Sequence, residues 1–137
     1  RYPQVGESTL RWTPEPLVEP AYAFVVACLS SQTPPRPFLF RNYEYAQSEL
    51  PARYAGDSSA PAWLALRATT AAPTYFPEAV IGSRTFQDGA LIANNPAAIA
   101  LHEARSLFPG RRIACLASFG TGSRTPSENA KLAMAPG

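Results

Sequence analysis

Thr85-Phe86-Gln87-Asp88-Gly89-Ala90-Leu91-Ile92-Ala93-Asn94-Asn95-Pro96 is the stretch whose reading decides the fold. A short extended segment, Thr85 to Gln87, runs into an Asp-Gly turn. Asn94 and Asn95 then stand as capping residues ahead of a helix from about Pro96 to Phe108, closed by Pro109-Gly110. Behind it, Ile113-Ala114-Cys115-Leu116-Ala117-Ser118-Phe119 has the pattern of a buried strand, and Gly120-Thr121-Gly122 turns the chain at its end. Strand, helix and strand in this order predict a right-handed crossover and parallel pairing. Asp88 falls at the mouth of a β-to-α connection, where ligands and reacting groups collect in α/β sheets, and is the leading catalytic candidate.

Upstream, Tyr22-Ala23-Phe24-Val25-Val26-Ala27-Cys28-Leu29 is apolar without polar alternation, as expected of a central strand covered on both faces in a largely parallel sheet. Thr33-Pro34-Pro35-Arg36-Pro37 breaks the chain, and Phe38 to Tyr43 reads as a second strand. Glu44 to Ser59 shows little periodicity and reads as a surface excursion. Ser58 or Ser59 can cap a helix with Pro61 in its first turn and Pro73 as its stop. On the later helix, Ala97, Ala100, Leu101, Ala104 and Phe108 form the expected apolar stripe. Pro3, Pro14, Pro16 and Pro20 make the opening stretch a surface connection, and residues 123–137 read as a tail or linker.

The 137 residues, 46% hydrophobic and 16% charged, describe one folded domain or part of one, and the first residue, Arg1, implies a piece that begins inside something longer or has been processed. Twelve basic and ten acidic residues leave a formal charge of +2 with no like-charged block, which argues against a nucleic-acid partner. The apolar run from Ala21 to Leu29 is far short of the ~18 residues a membrane span needs. Cys28 and Cys115 lie in apolar runs as reduced core thiols, and with His102 the only histidine no metal site is called for.

Nucleophilic catalysis needs a serine or cysteine, a base within hydrogen-bond reach and donors for the oxyanion. A Gly-x-Ser-x-Gly elbow does not occur, and its nearest imitation, Gly56-Asp57-Ser58-Ser59-Ala60, lacks the last glycine and reads better as a loop or helix cap. His102 falls away from the apolar stripe beside Glu103 and Arg105, so it reads as a solvated surface residue. Any base must then be Asp88. Asp-Gly is also a common turn pair, and Gly120-Thr121-Gly122, without the lysine of a phosphate loop, reads as a plain turn. Trp63, Tyr75 and Phe76 read as core or pocket wall.

Taken together, Phe40-Arg41-Asn42-Tyr43, the run from Trp63 through Thr69-Thr70-Ala71-Ala72-Pro73-Thr74-Tyr75-Phe76, Asp88-Gly89-Ala90 with Asn94-Asn95-Pro96, and Leu116 to Gly122 resemble the second half of a patatin-like phospholipase domain, closest to its calcium-independent branch. The resemblance implies a three-layer α/β/α fold, incomplete here because its N-terminal half is missing. Residues 1–122 would be the C-terminal portion and 123–137 a tail. It also implies a Ser-Asp dyad in which Asp88, followed by Gly89 and Ala90, is the base, with no cofactor. The serine elbow and the oxyanion loop would precede Arg1, leaving the isolated chain inactive.

In the whole protein the implied activity is hydrolysis of glycerophospholipid or related acyl esters, in an intracellular setting, cytoplasmic or at a peripheral membrane surface. Gly89 would leave room for the serine hydroxyl and the acyl carbon. Thr69, Thr70, Pro73, Tyr75 and Phe76 would stand beside the site or form a lipid-facing wall. Two rival readings are a noncatalytic lipid-binding or protein-interaction domain on the same scaffold, and an unrelated α/β domain with a chance Asp-Gly turn. Half a sheet leaves its first strand without a partner, so the isolated chain is expected to aggregate or pack loosely. A monomeric, cooperatively melting species in analytical ultracentrifugation and calorimetry would contradict that.

Overall fold

Strand β1, Phe24–Leu29, sits in the middle of the structure because both of its faces are apolar. Even-numbered side chains point to one face and odd-numbered ones to the other, and each face finds its own helical cover. The computed structural model describes residues 21–45 and 52–122. After β1 come β2 (Arg36–Arg41), β3 (Ala55–Asp57), α1 (Ala62–Thr69), β4 (Ala79–Ile81), β5 (Arg84–Asp88), α2 (Ala90–Ala93) and α3 (Ala97–Leu107). The strands form one mixed sheet in the order β3-β2-β1-β5-β4.

Register explains the two cores. Val25 faces Phe40 and Ala27 faces Phe38, which puts these residues with Leu29 and Phe86 on one face, under Ala65 and Ala68 of α1. There Phe38 meets Phe40 and Phe86 edge to face with centroids 5.0 Å apart, and Phe40 lies tilted against Phe86 at 5.4 Å. On the opposite face Val26 and Leu39 pack with Ile99 of α3, flanked by Phe24, Tyr54 and Ala93. The expectation of an α/β fold with β1 central holds, with helices on both faces of a five-stranded sheet.

The expected parallel sheet is corrected. β1 pairs antiparallel with β2 and with β5, β4 with β5 likewise, and only β2 and β3 run parallel. A continuous apolar run reports burial on two faces and carries no information on strand direction. The short connection from Leu29 to Arg36 leaves no length for the helical crossover that parallel neighbours require. The surface excursion after Glu44 returns as edge strand β3. β4, unforeseen, closes a two-residue hairpin through Gly82, whose φ of 60° suits the first loop position of a type II′ turn.

The crossover to Ile113–Phe119 is corrected too. That segment has no strand ladder among the described residues and is exposed, as is Cys115. An apolar pattern alone does not make a strand, which also needs an edge to hydrogen-bond with; β1 has β2 along one side and β5 along part of the other. The expectation that β1 lacks a partner is therefore replaced. β5 covers only Ala27 to Leu29, so on that side the beginning of β1 carries no ladder among the described residues. Cys28 is buried as expected, and burial pushes its thiol pKa up. Both cysteines are free. The opening stretch to Pro20 and the tail 123–137 lie outside the described residues.

Neither serine caps α1. Pro61 holds the N-cap and its carbonyl accepts from Leu64 and Ala65, while the amide and hydroxyl of Ser59 donate to Asp57 Oδ1, each at 2.7 Å, and Ser58 donates to Glu44. A charged acceptor just upstream outcompetes the helix end. At α3 too a proline, Pro96, holds the N-cap instead of Asn94 or Asn95, and Asn95, one residue before it, accepts the Ala97 amide on Oδ1 at 3.0 Å. The apolar stripe is not as read. Ile99 and Glu103 are the buried positions of that helix, and the predicted residues are only half-buried.

Glu103 is inward because Arg41 is waiting for it. Arg41 Nε donates to Glu103 Oε2 at 2.8 Å and Nη2 to Oε1 at 3.4 Å, Tyr43 Oη donates to Oε2 at 2.7 Å, and Nη2 also reaches the Tyr54 carbonyl at 3.1 Å. Only 5% of Arg41 and 2% of Glu103 is exposed, so the pair is a buried clamp between β2 and α3. Gly56 lies against it. A Cβ there would strike the guanidinium of Arg41 and the Leu39 carbonyl. Between Arg41 and Tyr43, Asn42 accepts from the Ala23 amide and donates to the Ala21 carbonyl, tying the end of β2 to the start of β1.

Burial pushes the Glu103 carboxyl up, but the hydrogen bonds of Arg41 and the tyrosines outweigh it and hold the group below the usual carboxylate range. A depressed carboxylate contributes stability above its unfolded pKa of ~4.3 and loses it as pH falls through the folded value. Glu103→Ala is expected to cost about 3 to 5 kcal/mol, because it strands a buried guanidinium, whereas Arg41→Met with Glu103→Leu costs far less. Urea unfolding of the three proteins at neutral pH, repeated below pH 4, where the wild type loses this advantage, checks both statements.

Candidate active site

Asp88 ends β5 and Gly89 begins the next turn, and both are held by the unwinding end of α1. The Asp88 amide donates to the Ala71 carbonyl at 2.9 Å and the Gly89 amide to the Thr69 carbonyl at 3.3 Å. Helices leave their last carbonyls without internal partners, and here the Asp-Gly backbone supplies them. Thr69 reaches the other way, its hydroxyl donating to the Val26 carbonyl of β1. One threonine thus joins α1, β1 and the turn.

The Asp88 side chain is fixed in its own turn. Its Oδ1 accepts from the Ala90 amide at 2.8 Å, an Asx-type bond that starts the four-residue helix α2. Asp88 is half-buried and lines an open cleft of about 340 Å³ with Phe24, Val25, Val26, Thr69, Gly89 and Ala90, and with Ala93, Asn94 and Pro96 beyond. A neighbouring cleft of about 510 Å³ shares Asn94 and Pro96 and continues along Leu116 to Gly122.

Gly89 has an ordinary φ of −61°, so no left-handed turn demands glycine here. A Cβ on it would collide with the carbonyl of Val26. The space glycine leaves open is filled by the backbone of β1, which gives this residue a packing reason within the chain itself. Ala90, the third residue of the motif, is exposed and contributes its amide.

Of the residues read as flanking the site, Thr69 alone lines the Asp88 cleft; Thr70 spends its hydroxyl on the Leu66 carbonyl at 2.8 Å. Trp63, Tyr75 and Phe76, read as core or pocket wall, are all exposed. Aromatic identity alone does not distinguish a packed ring from a presented one. His102 is not among the cleft residues. It is half-buried rather than fully solvated, with its ring edge-on to Tyr54 at 5.5 Å. What sequence reading missed is the backbone, namely the carbonyls of Thr69, Ala71 and Val26. The signal was available in Thr69 to Pro73, where a helix must end beside the Asp-Gly turn.

A half-buried carboxylate on a hydrogen-bonded β-to-α turn, beside an open cleft, is placed where it can exchange a proton with a bound group. Residues 12–101 match the patatin-like phospholipase family, and the chain belongs to it. It is 39% identical over 103 residues to calcium-independent phospholipase A2-gamma of Oryctolagus cuniculus and 36% identical over 119 residues to that of Rattus norvegicus, covering 75% and 87% of this chain. Phospholipase A I of Arabidopsis thaliana is 35% identical over 128 residues, covering 73% of this chain. The chain spans only 13%, 15% and 10% of those relatives' lengths. No solved structure matches.

The junction makes a direct demand on two side chains. Gly89→Ala is expected to cost roughly 1 to 3 kcal/mol, since backbone rather than a flexible side chain must give way. Thr69→Val, which keeps the shape and removes the hydroxyl, is expected to cost about 1 kcal/mol. Thermal unfolding reads both losses, and amide exchange at Asp88 and Gly89 should accelerate in each.

Proposed function

We propose that this chain supplies the aspartate half of a serine-aspartate dyad in a lipid acyl hydrolase that cleaves acyl esters of glycerophospholipids or related glycerolipids. The reading is supported by one observation above all. In a member of the patatin-like phospholipase family, Asp88 stands on a turn locked by Thr69, Ala71 and Ala90 at the edge of an open cleft. The Gly-x-Ser-x-Gly serine and the oxyanion donors would come from residues outside this chain, which by itself would be inactive.

The chemistry asks little of the aspartate beyond position. The serine hydroxyl attacks the ester carbonyl carbon while Asp88 takes its proton, the tetrahedral intermediate collapses, and the departing glyceryl oxygen receives that proton. Water then repeats the sequence on the acyl-serine, with Asp88 again accepting and returning a proton. The Ala90 amide on Oδ1 fixes the carboxylate and leaves the other oxygen to face the serine. No metal or cofactor enters the scheme.

Asp88→Asn is the decisive variant, because the amide oxygen of asparagine can still accept from Ala90 and hold the turn. In the full-length natural protein it is expected to lower the rate of phospholipid hydrolysis by at least about a hundredfold, the lower range for a lost general base. Fatty-acid release from phosphatidylcholine vesicles measures it. An unchanged rate would sink the dyad and favour a noncatalytic lipid-binding module on the same scaffold.

A further inference from the structure

The ladder between β1 and β5 stops one rung early. Leu29 pairs with Phe86, Cys28 with Gln87 and Ala27 with Asp88, and beyond Leu29 the Ser30 amide donates to the Thr85 carbonyl at 2.9 Å. In an antiparallel ladder the hydrogen-bonded pairs recur at every second residue, so Ser30, Cys28 and Val26 are the bonding positions of β1 on this side. Continued by one step, the register sets Val26 opposite Gly89 and assigns the Gly89 amide to the Val26 carbonyl. The two groups do stand together, since a Cβ on Gly89 would strike that carbonyl. Yet the Gly89 amide donates to the Thr69 carbonyl at 3.3 Å, and the Val26 carbonyl accepts the Thr69 hydroxyl.

Thr69 has taken both halves of the missing rung. Its carbonyl stands in for Val26 as acceptor and its hydroxyl for Gly89 as donor, so each backbone group keeps a partner. The neighbouring threonine shows the ordinary alternative. Thr70 bonds back to the Leu66 carbonyl, four residues earlier in its own helix. Thr69 instead reaches across to β1, and a β-branched side chain has few rotamers through which to lose that aim. Asp88 gains its place from the diversion. A completed rung would carry the ladder on through Gly89 and make Asp88 an interior strand residue. With the rung diverted, the Asp88 amide goes to the Ala71 carbonyl and Oδ1 takes the Ala90 amide, both marks of a chain leaving the sheet.

We propose that Thr69 is a positioning residue for Asp88: its hydroxyl occupies the Val26 carbonyl, keeps that acceptor from drawing Gly89 into the ladder, and so holds the carboxylate out at the cleft. The role rests on the reading of Asp88 as the base of a serine-aspartate dyad. Without the hydroxyl, the residue-69 and Val26 carbonyls compete for one Gly89 amide, and Asp88 moves as the amide changes partner. Reaction rates respond steeply to such movement, a displacement of ~1 Å being enough for about a hundredfold loss. Thr69 also lines the cleft, but the role assigned to it works through the backbone of the turn and not through contact with substrate.

The test uses the full-length natural protein as wild type, Thr69→Val and Thr69→Ser, with fatty-acid release measured over a range of phosphatidylcholine in mixed micelles. Thr69→Val, which loses the hydroxyl, is expected to lower kcat about tenfold to a hundredfold and to leave KM unchanged. Thr69→Ser, which keeps it, is expected to retain most of the wild-type kcat. Both substitutions are repeated in Asp88→Asn protein. A residue that acts through Asp88 has nothing left to position there, so Thr69→Val is expected to add no further loss. A merely structural role removes folded protein and would lower the rate by the same factor in both backgrounds.

An unchanged kcat in Thr69→Val would overturn the proposal, as would an equal further loss in the Asp88→Asn background. A rise in KM alone would also overturn it and make Thr69 part of the cleft wall. Should Thr69→Val not fold, the serine variant decides: a folded Thr69→Ser protein with kcat lowered about tenfold or more would show that the methyl group matters and the hydroxyl does not. The two readings fail separately. If Asp88→Asn alone hydrolyses like the wild type, the dyad is lost and the role of Thr69 falls with it. If Asp88→Asn is inactive while Thr69→Val is fully active, the dyad stands and only the role of Thr69 is lost.

Discussion

The end of α1 carries a double duty on which the site depends. A helix that stops leaves carbonyls without partners, and a strand that stops leaves amides in the same condition. Here the two deficits cancel, as Ala71 and Thr69 take the amides of Asp88 and Gly89. The Thr69 hydroxyl then reaches the Val26 carbonyl, and Gly89 lets β1 approach closely enough for all three elements to meet. No flexible side chain sets the position of Asp88. Its backbone is positioned by hydrogen bonds between elements already fixed by the two cores, which gives a turn residue a single, well-defined place.

The second anchor is polar and lies on the other face of the sheet. Arg41 and Tyr43 converge on Glu103 from the end of β2, so α3 is held at one point by charge and at another by Ile99 against Val26 and Leu39. Its N-terminal end, with Asn94 and Pro96, borders the Asp88 cleft. The residues Arg41-Asn42-Tyr43 therefore have three separate tasks, two on the helix and one on the neighbouring strand, which accounts for the whole motif without any part in chemistry.

How much of this could be read from the chain follows from which forces are local. Asp88 on its turn, the start of α3 just after Asn95 and the β1 core strand were legible because each depends on a few neighbouring residues. Strand direction was not, because burial on both faces looks the same in parallel and antiparallel sheets. The buried face of α3 was missed because apolar counting passes over Glu103, whose inward position is set by an arginine 62 residues earlier. Ile113 to Phe119 has the composition of a strand, yet composition supplies no edge to pair with. Trp63, Tyr75 and Phe76 show the same limit, since aromatic character says nothing of whether a turn will hide or display the ring.

Gly56 offers a different kind of consequence. It has no unusual backbone angle and no place in the Asp88 cleft, yet the guanidinium of Arg41 and the carbonyl of Leu39 occupy the space that any side chain would need. Position 56 is thus tied to the backbone of β2 as well as to Arg41. During divergence the arginine can go only when Glu103 goes with it, but the Leu39 carbonyl still bars a side chain on β3 after both have gone. Positions 41 and 103 should drift as one unit, while position 56 should stay glycine throughout.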